Sequence, residues 1–175
     1  MTYGYYIVVG IGLILFQTAV IPGIPVLDTL FDFVGLFVIY LGFYRPAREA
    51  LPAVVILGLL ADNLSGAPFM LYITAYLWVF FGVRVLSLIL QVSLRFRTAL
   101  IVSGGVLIEN LVFVFAFVLL GAGTHSPAAA TGTVILQLAW AFVLGPILVL
   151  GFRGAHGIWD RLIGQTAGIG RSEAK

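Results

Sequence analysis

The chain has no cysteine, which excludes disulfides, thiolate nucleophiles and cysteine metal sites. Charge is scarce as well. Only 9% of the 175 residues are Asp, Glu, Lys or Arg, where a soluble domain carries about a quarter. The formal balance of +2 is too small, and too scattered over short connections, to make a face for nucleic acid. No nucleophile elbow, phosphate loop or pair of acids at one depth is visible. Catalysis therefore has no constellation to rest on, no cofactor is implied, and a binding or assembly role is expected over an enzyme. His125 and His156 stand one on each face of the expected fold and cannot share a metal. Apolar side chains supply the rest: 62% of residues are hydrophobic and the mean hydropathy is +1.16. One all-α, bilayer-embedded helix bundle is the class that fits.

Proline, glycine and charge divide the chain into six apolar runs. The first covers about 5–21 and closes at Pro22-Gly23-Ile24-Pro25, where proline cannot continue the helical ladder. It lacks the cationic region of a cleavable signal and is read as retained. The second starts near Asp28 and Asp32 and runs to Tyr44, with Asp28 placed as a cap or first-turn carboxylate. Pro46 suits the first turn of the third, which reaches Asp62. The fourth, 69–92, carries Tyr72, Tyr76, Phe80 and Arg84 on one i, i+4 stripe. The fifth, 98–120, holds Glu109-Asn110 near its middle. The sixth, 131–152, contains Gly145-Pro146, a predicted kink. Gly10 with Gly12, and Gly104-Gly105, would permit close helix approach. Residues 1–153 form the expected transmembrane domain. Residues 154–175 form a short tail whose Ile158, Trp159, Leu162 and Ile163 suit an interfacial turn or two.

Alternation of six spans puts Arg45, Arg48, Arg95, Arg97 and the tail's Arg153, Arg161, Arg171 and Lys175 on one side. The other side carries Asp28, Asp62 and His125, with no Lys or Arg. The positive-inside bias then sets both termini in the cytoplasm.

Two constellations stand out. Arg84 lies eleven residues before Arg95, and Glu109 twelve after Arg97. At about 1.5 Å per residue the depths are roughly 16 and 18 Å, which would set the two charges face to face on consecutive antiparallel helices. Pairing would avoid an insertion cost of at least about 2.5 kcal/mol per charge. One reading is an internal clamp, with Asn110 adding hydrogen bonds. The other is an ion or proton path, or a site engaged by a partner's helix. The second constellation is the polar turn from Gly58 through Asp62, Asn63, Ser65, Gly66 and Pro68. Loose backbone of this kind must lie at a membrane surface or be wrapped in protein. Asp62 there either caps the loop, with Gly66 supplying a backbone angle other residues avoid, or helps form a docking surface for an extracytoplasmic partner.

This turn resembles the signature of the MreD family, the small integral membrane subunit of the bacterial cell-elongation machinery. The family pattern is close to Gly-Leu-x-x-Asp-x-x-x-Gly-x-Pro-x-Gly. Gly58, Leu59, Asp62, Gly66 and Pro68 match, and Met70 stands at the final glycine. Leu15-Phe16-Gln17-Thr18 resembles the family's Leu-Gln-Thr segment. Asp32, followed by apolar residues and Tyr40-Leu41, resembles its second helix without the usual preceding proline. The likeness covers about 11–87. It implies six transmembrane helices in a fold similar to the substrate-binding membrane subunits of energy-coupling-factor transporters. It also implies a non-enzymatic scaffold in the bacterial cytoplasmic membrane that supports rod shape and lateral peptidoglycan synthesis. MreC would be its direct partner; MreB, the glycosyltransferase and the transpeptidase would be further associates. The alternative is a small-molecule-binding subunit of an uptake transporter. Such subunits usually show Ala-x-x-x-Ala in the first helix, where this chain has only Ala19. A carrier working through Arg84 and Glu109 is a third reading.

Overall fold

The computed structural model describes residues 2–19, 32–65, 70–90, 94–119 and 127–172. Six helices fill them: α1 Thr2–Ala19, α2 Phe33–Tyr44, α3 Ala47–Ser65, α4 Leu71–Ile89, α5 Leu94–Leu119 and α6 Pro127–Ser172. Asp28, Gly66, Pro68 and His125 lie outside the described residues.

The bundle is organised around its shortest helix. α2 has 12 residues, and every one from Val34 to Gly42 is buried. An apolar surface on all sides needs neighbours on all sides, and α2 touches each of the other five described helices. Its ends are sharply defined. Asp32 caps the start. At the finish Arg45 is extended, as the residue before a proline is disposed to be. Pro46 then accepts the first amide bonds of α3 from Glu49 and Ala50, both at 3.1 Å.

Around α2 the helices pack as antiparallel neighbours, α3 on α4, α4 on α5 and α5 on α6. Glycine sets several of the approaches. A Cβ on Gly105 would stand 2.6 Å from Ile39 Cδ1, and one on Gly42 would meet the Phe80 carbonyl oxygen at 3.2 Å. Gly10 faces Leu57, whereas Gly12 has nothing within 4 Å; the expected Gly10/Gly12 pair thus works through one member.

α4, the stretch Phe96–Leu119 of α5 and the stretch Gly132–Trp159 of α6 are long and apolar enough to cross a bilayer. Leu88, Phe115, Val118 and Ile135 are more than 60% exposed, an outer surface that suits hydrocarbon. The chain is a membrane protein. α1 and α2 are apolar but shorter.

The last helix differs from expectation. Instead of ending near Phe152 before a separate tail, α6 runs unbroken for 46 residues with Pro146 inside it. The division at Arg153 has no counterpart in the backbone. Beyond that point His156 is 4% exposed, its ring 4.5 Å edge-to-face from Tyr5, and Trp159 packs on Tyr5 too. The Tyr5 hydroxyl donates to the Phe152 carbonyl at 2.9 Å. The first aromatic residues of α1 thus carry α6 past the expected boundary.

The bundle has two chemically distinct ends. At one, Arg97 stacks on Phe43, Arg153 on Tyr44, and Arg84 donates to the Arg45 carbonyl. At the other lie Asp32, Asp62 and Tyr72. The close α3–α4 approach yields a test. A Cβ on Gly58 would lie 2.7 Å from the Ile73 Cα, so Gly58→Val should cost about 1–3 kcal/mol, read as a lower midpoint of thermal unfolding in detergent. Gly12→Ala should leave that midpoint unchanged or slightly raised. Equal midpoints for the two variants would refute the packing.

Candidate functional site

Helix α4 begins where its first amides have no partner within the helix. Its cap residue, Met70, makes no side-chain bond to them. The acceptor comes from the preceding helix. Asp62, 7% exposed in the last turn of α3, takes the Tyr72 N–H at 2.8 Å and the Ile73 N–H at 3.3 Å. A carboxylate there also meets the positive end of the α4 dipole. Of the two readings for Asp62, the cap is what the geometry displays. Gly58 stands one turn earlier and lets α3 lie against Ile73. Asn63 donates to the Leu59 carbonyl at 2.7 Å, while Asn63, Leu64 and Ser65 are exposed. Met70 sits at φ 68°, ψ 12°, the only non-glycine residue with positive φ among the described residues. This left-handed geometry is glycine's natural territory, and it falls at the position where the family pattern has glycine.

The expected pairing of Arg84 with Glu109 does not form. α4 ends at Ile89 with Leu90 as its cap, so Arg84 is five residues from the end, about 8 Å at 1.5 Å per residue. Counting to Arg95 exaggerated its depth. Arg84 Nη2 bonds the carbonyl of Arg45, the C-cap of α2, and the guanidinium lies 5.2 Å from the Phe80 ring centre. A cation thereby meets the negative end of a helix and one of its orphan carbonyls. Glu109 lies at the opposite end of α2, against Gly35. Gly35 and Arg45 are about 15 Å apart along that axis. Asn110 joins no ion pair; its Nδ2 bonds the Val106 carbonyl of its own helix at 2.9 Å.

What Glu109 meets is a second acid, and this overturns the expectation that no acids share a depth. Both Glu109 oxygens lie 2.9 Å from the point a Gly35 Cβ would occupy, and Asp32 Cγ lies 3.2 Å from it. The two carboxyls thus lie beside each other across the Gly35 gap. Asp32 is well supported. Its Oδ1 accepts the Val34 and Gly35 amides at 2.9 Å, and its Oδ2 accepts the Tyr76 hydroxyl at 2.8 Å. Glu109 is 6% exposed and its Oε1 has no hydrogen-bond partner. Sequence reasoning named Glu109 and the Tyr72–Tyr76 stripe, and Tyr76 does face the interior at 1% exposed. It missed Asp32 as the partner and Gly35 as the gap that admits both carboxyls. The available signal was an acid at the edge of an apolar run, followed three residues later by glycine.

Two cavities open at this end. One, of about 90 Å³, is lined by Asp32, Glu109, Asn110 and Gln137 among apolar residues. The other, of about 320 Å³, lies between α1, α3 and α4 beside Gln17, Thr18, Ser65, Tyr72 and Tyr76. Tyr72 and Tyr76 line the roomier of the two. Comparison with known proteins finds no match among family models, curated proteins or solved structures.

Two outcomes follow from this geometry. Since Arg84 and Glu109 do not touch, the double-mutant cycle of Arg84→Gln and Glu109→Gln should show coupling within about 0.5 kcal/mol of zero; a coupling of several times that would restore the ion pair. Met70→Gly should stabilise the protein by about 0.5–1 kcal/mol, because glycine carries no left-handed penalty but loses more freedom on folding. A lower unfolding midpoint for that variant would contradict the backbone at Met70.

Proposed function

We propose that this chain is a MreD-like scaffold of a bacterial cell-elongation complex. In this reading it spans the cytoplasmic membrane six times with both termini inside. It carries no chemistry of its own, and it supports rod shape and lateral peptidoglycan synthesis by holding MreC and, through the complex, the cell-wall glycosyltransferase and transpeptidase near MreB. The observation that carries the reading is the agreement between pattern and geometry in the α3–α4 hairpin. The family's glycine, aspartate and final glycine fall where this hairpin needs close approach at Gly58, an acceptor at Asp62 and a left-handed residue at position 70. Gly58 and Asp62 meet two of these demands, and at the third the chain departs from the pattern with Met70. The gathering of arginines at one end of the bundle supports the orientation. The exposed edge Asn63-Leu64-Ser65 beside that rigid corner is the surface offered to an extracytoplasmic partner.

A second reading, a small-molecule-binding subunit of an uptake transporter, draws support from the 320 Å³ cavity, at the lower end of ligand-site volumes of about 300–1,000 Å³. Purification in mild detergent separates the two. The scaffold predicts that the tagged chain brings MreC with it and that Asn63→Arg with Ser65→Arg reduces the yield of MreC at least about tenfold, as expected for loss of more than about 1.4 kcal/mol of binding. A retained small molecule, without MreC, would give the site to the transporter reading.

A further inference from the structure

The Asp32–Glu109 pair has more negative capacity than the described side chains around it neutralise. Asp32 is provided for by two amides at the start of α2 and by the Tyr76 hydroxyl. Glu109 is not: its Oε1 is buried without a partner, and it lines the 90 Å³ cavity. The groups facing it are Asp32 and Gly35 from the start of α2, Tyr76 and Tyr72 from α4, Asn110 from its own helix and Gln137 from α6, with Asp62 beyond Tyr72. None is cationic. Arg84, Arg97 and Arg153 are engaged at the opposite end of the bundle. Among the described residues, then, no cationic side chain neutralises Glu109, and a cation from solution can serve as its counter-charge.

We propose that Glu109, Asp32 and the side-chain oxygens of Asn110 and Gln137 bind one small monovalent cation of the sodium type, in exchange for the proton between the two carboxyls. The donor set is all oxygen, which suits a hard cation. The volume suits an ion with one or two waters and is well below that of a drug-sized ligand. Asn110 spends its Nδ2 on the Val106 carbonyl, and its Oδ1 takes no part in that bond. Charge balances in the exchange: one cation enters as one proton leaves, Asp32 keeping its amide and hydroxyl bonds in both states. Intramembrane carboxyls with this environment mark ion sites in general.

The test is carboxyl labelling of the full-length protein in lipid nanodiscs. Dicyclohexylcarbodiimide, an apolar reagent, modifies a protonated carboxyl within a bilayer, and peptide mass spectrometry locates the adduct. In choline chloride Glu109 should be modified. Replacing choline by sodium at equal ionic strength should slow that modification at least about tenfold. Asn110→Ala should label normally in choline and need at least about tenfold more NaCl for half-protection, the scale of losing a supporting group at a metal site. Glu109→Gln, eluting as the parent does on size exclusion, should take up no reagent at position 109. Equal modification of Glu109 in the two salts would overturn the cation and leave a proton-only site. No modification of Glu109 in either salt would overturn the exchange itself. Because the readout needs no partner, its failure would leave the scaffold reading standing, and loss of MreC binding would leave the ion site standing.

Discussion

Lipid gives no hydrogen bonds, so every helix end inside or near it must find a partner in the protein. The ends of α2 show how much depends on that constraint. α2 is only 12 residues long and buried from Val34 to Gly42, so its half-buried ends must be satisfied largely by neighbouring side chains. At its start Asp32 supplies the acceptor; at its finish Arg84 supplies the donor. Asp32 makes a second contact with a neighbour, Tyr76 of α4, while Arg84, itself on α4, stacks on Phe80 one turn earlier in its own helix. The two polar residues therefore do the same work at opposite ends, and both tie the central helix to α4. The α3–α4 corner repeats the logic with Asp62, so α4 is the element on which three separate end-group solutions converge.

Much of the fold could be read from residues. Proline, arginine and glycine punctuation located the helices within a few positions, the end of α6 excepted; Pro46 before α3, and the sharp stop at Tyr44-Arg45, follow directly from proline chemistry. The glycines that meet Ile39, Leu57 and Ile73 were visible as small residues, but which of them face a neighbour depends on helix rotation, and Gly12 shows that spacing alone does not reveal it. The extension of α6 was concealed because Gly151, Gly154 and Gly157 look like breakers. Its continuation is secured by aromatic packing against Tyr5 and Tyr6, a contact between opposite ends of the chain.

The polar interior was harder. Opposite charges at similar depths invite pairing, yet depth counted from the next arginine is meaningful only where the helix reaches that arginine. Three residues of difference between Ile89 and the expected end at 92 were enough to move Arg84 from the middle of the bundle to its basic end. Glu109 then finds a second acid, an arrangement no sequence rule favours. It is made possible by a glycine gap, a capping role for Asp32 and a tyrosine hydroxyl from a third helix. Each is an ordinary device alone; their coincidence is a tertiary fact.

α6 carries an implication of scale. Its 46 residues measure about 69 Å at 1.5 Å per residue, more than twice the roughly 30 Å of a bilayer's hydrocarbon. However it is seated, a large part of it must stand in water or among headgroups as a stiff mast. A single helix of that length keeps its two ends a fixed distance apart, which a loose tail would not.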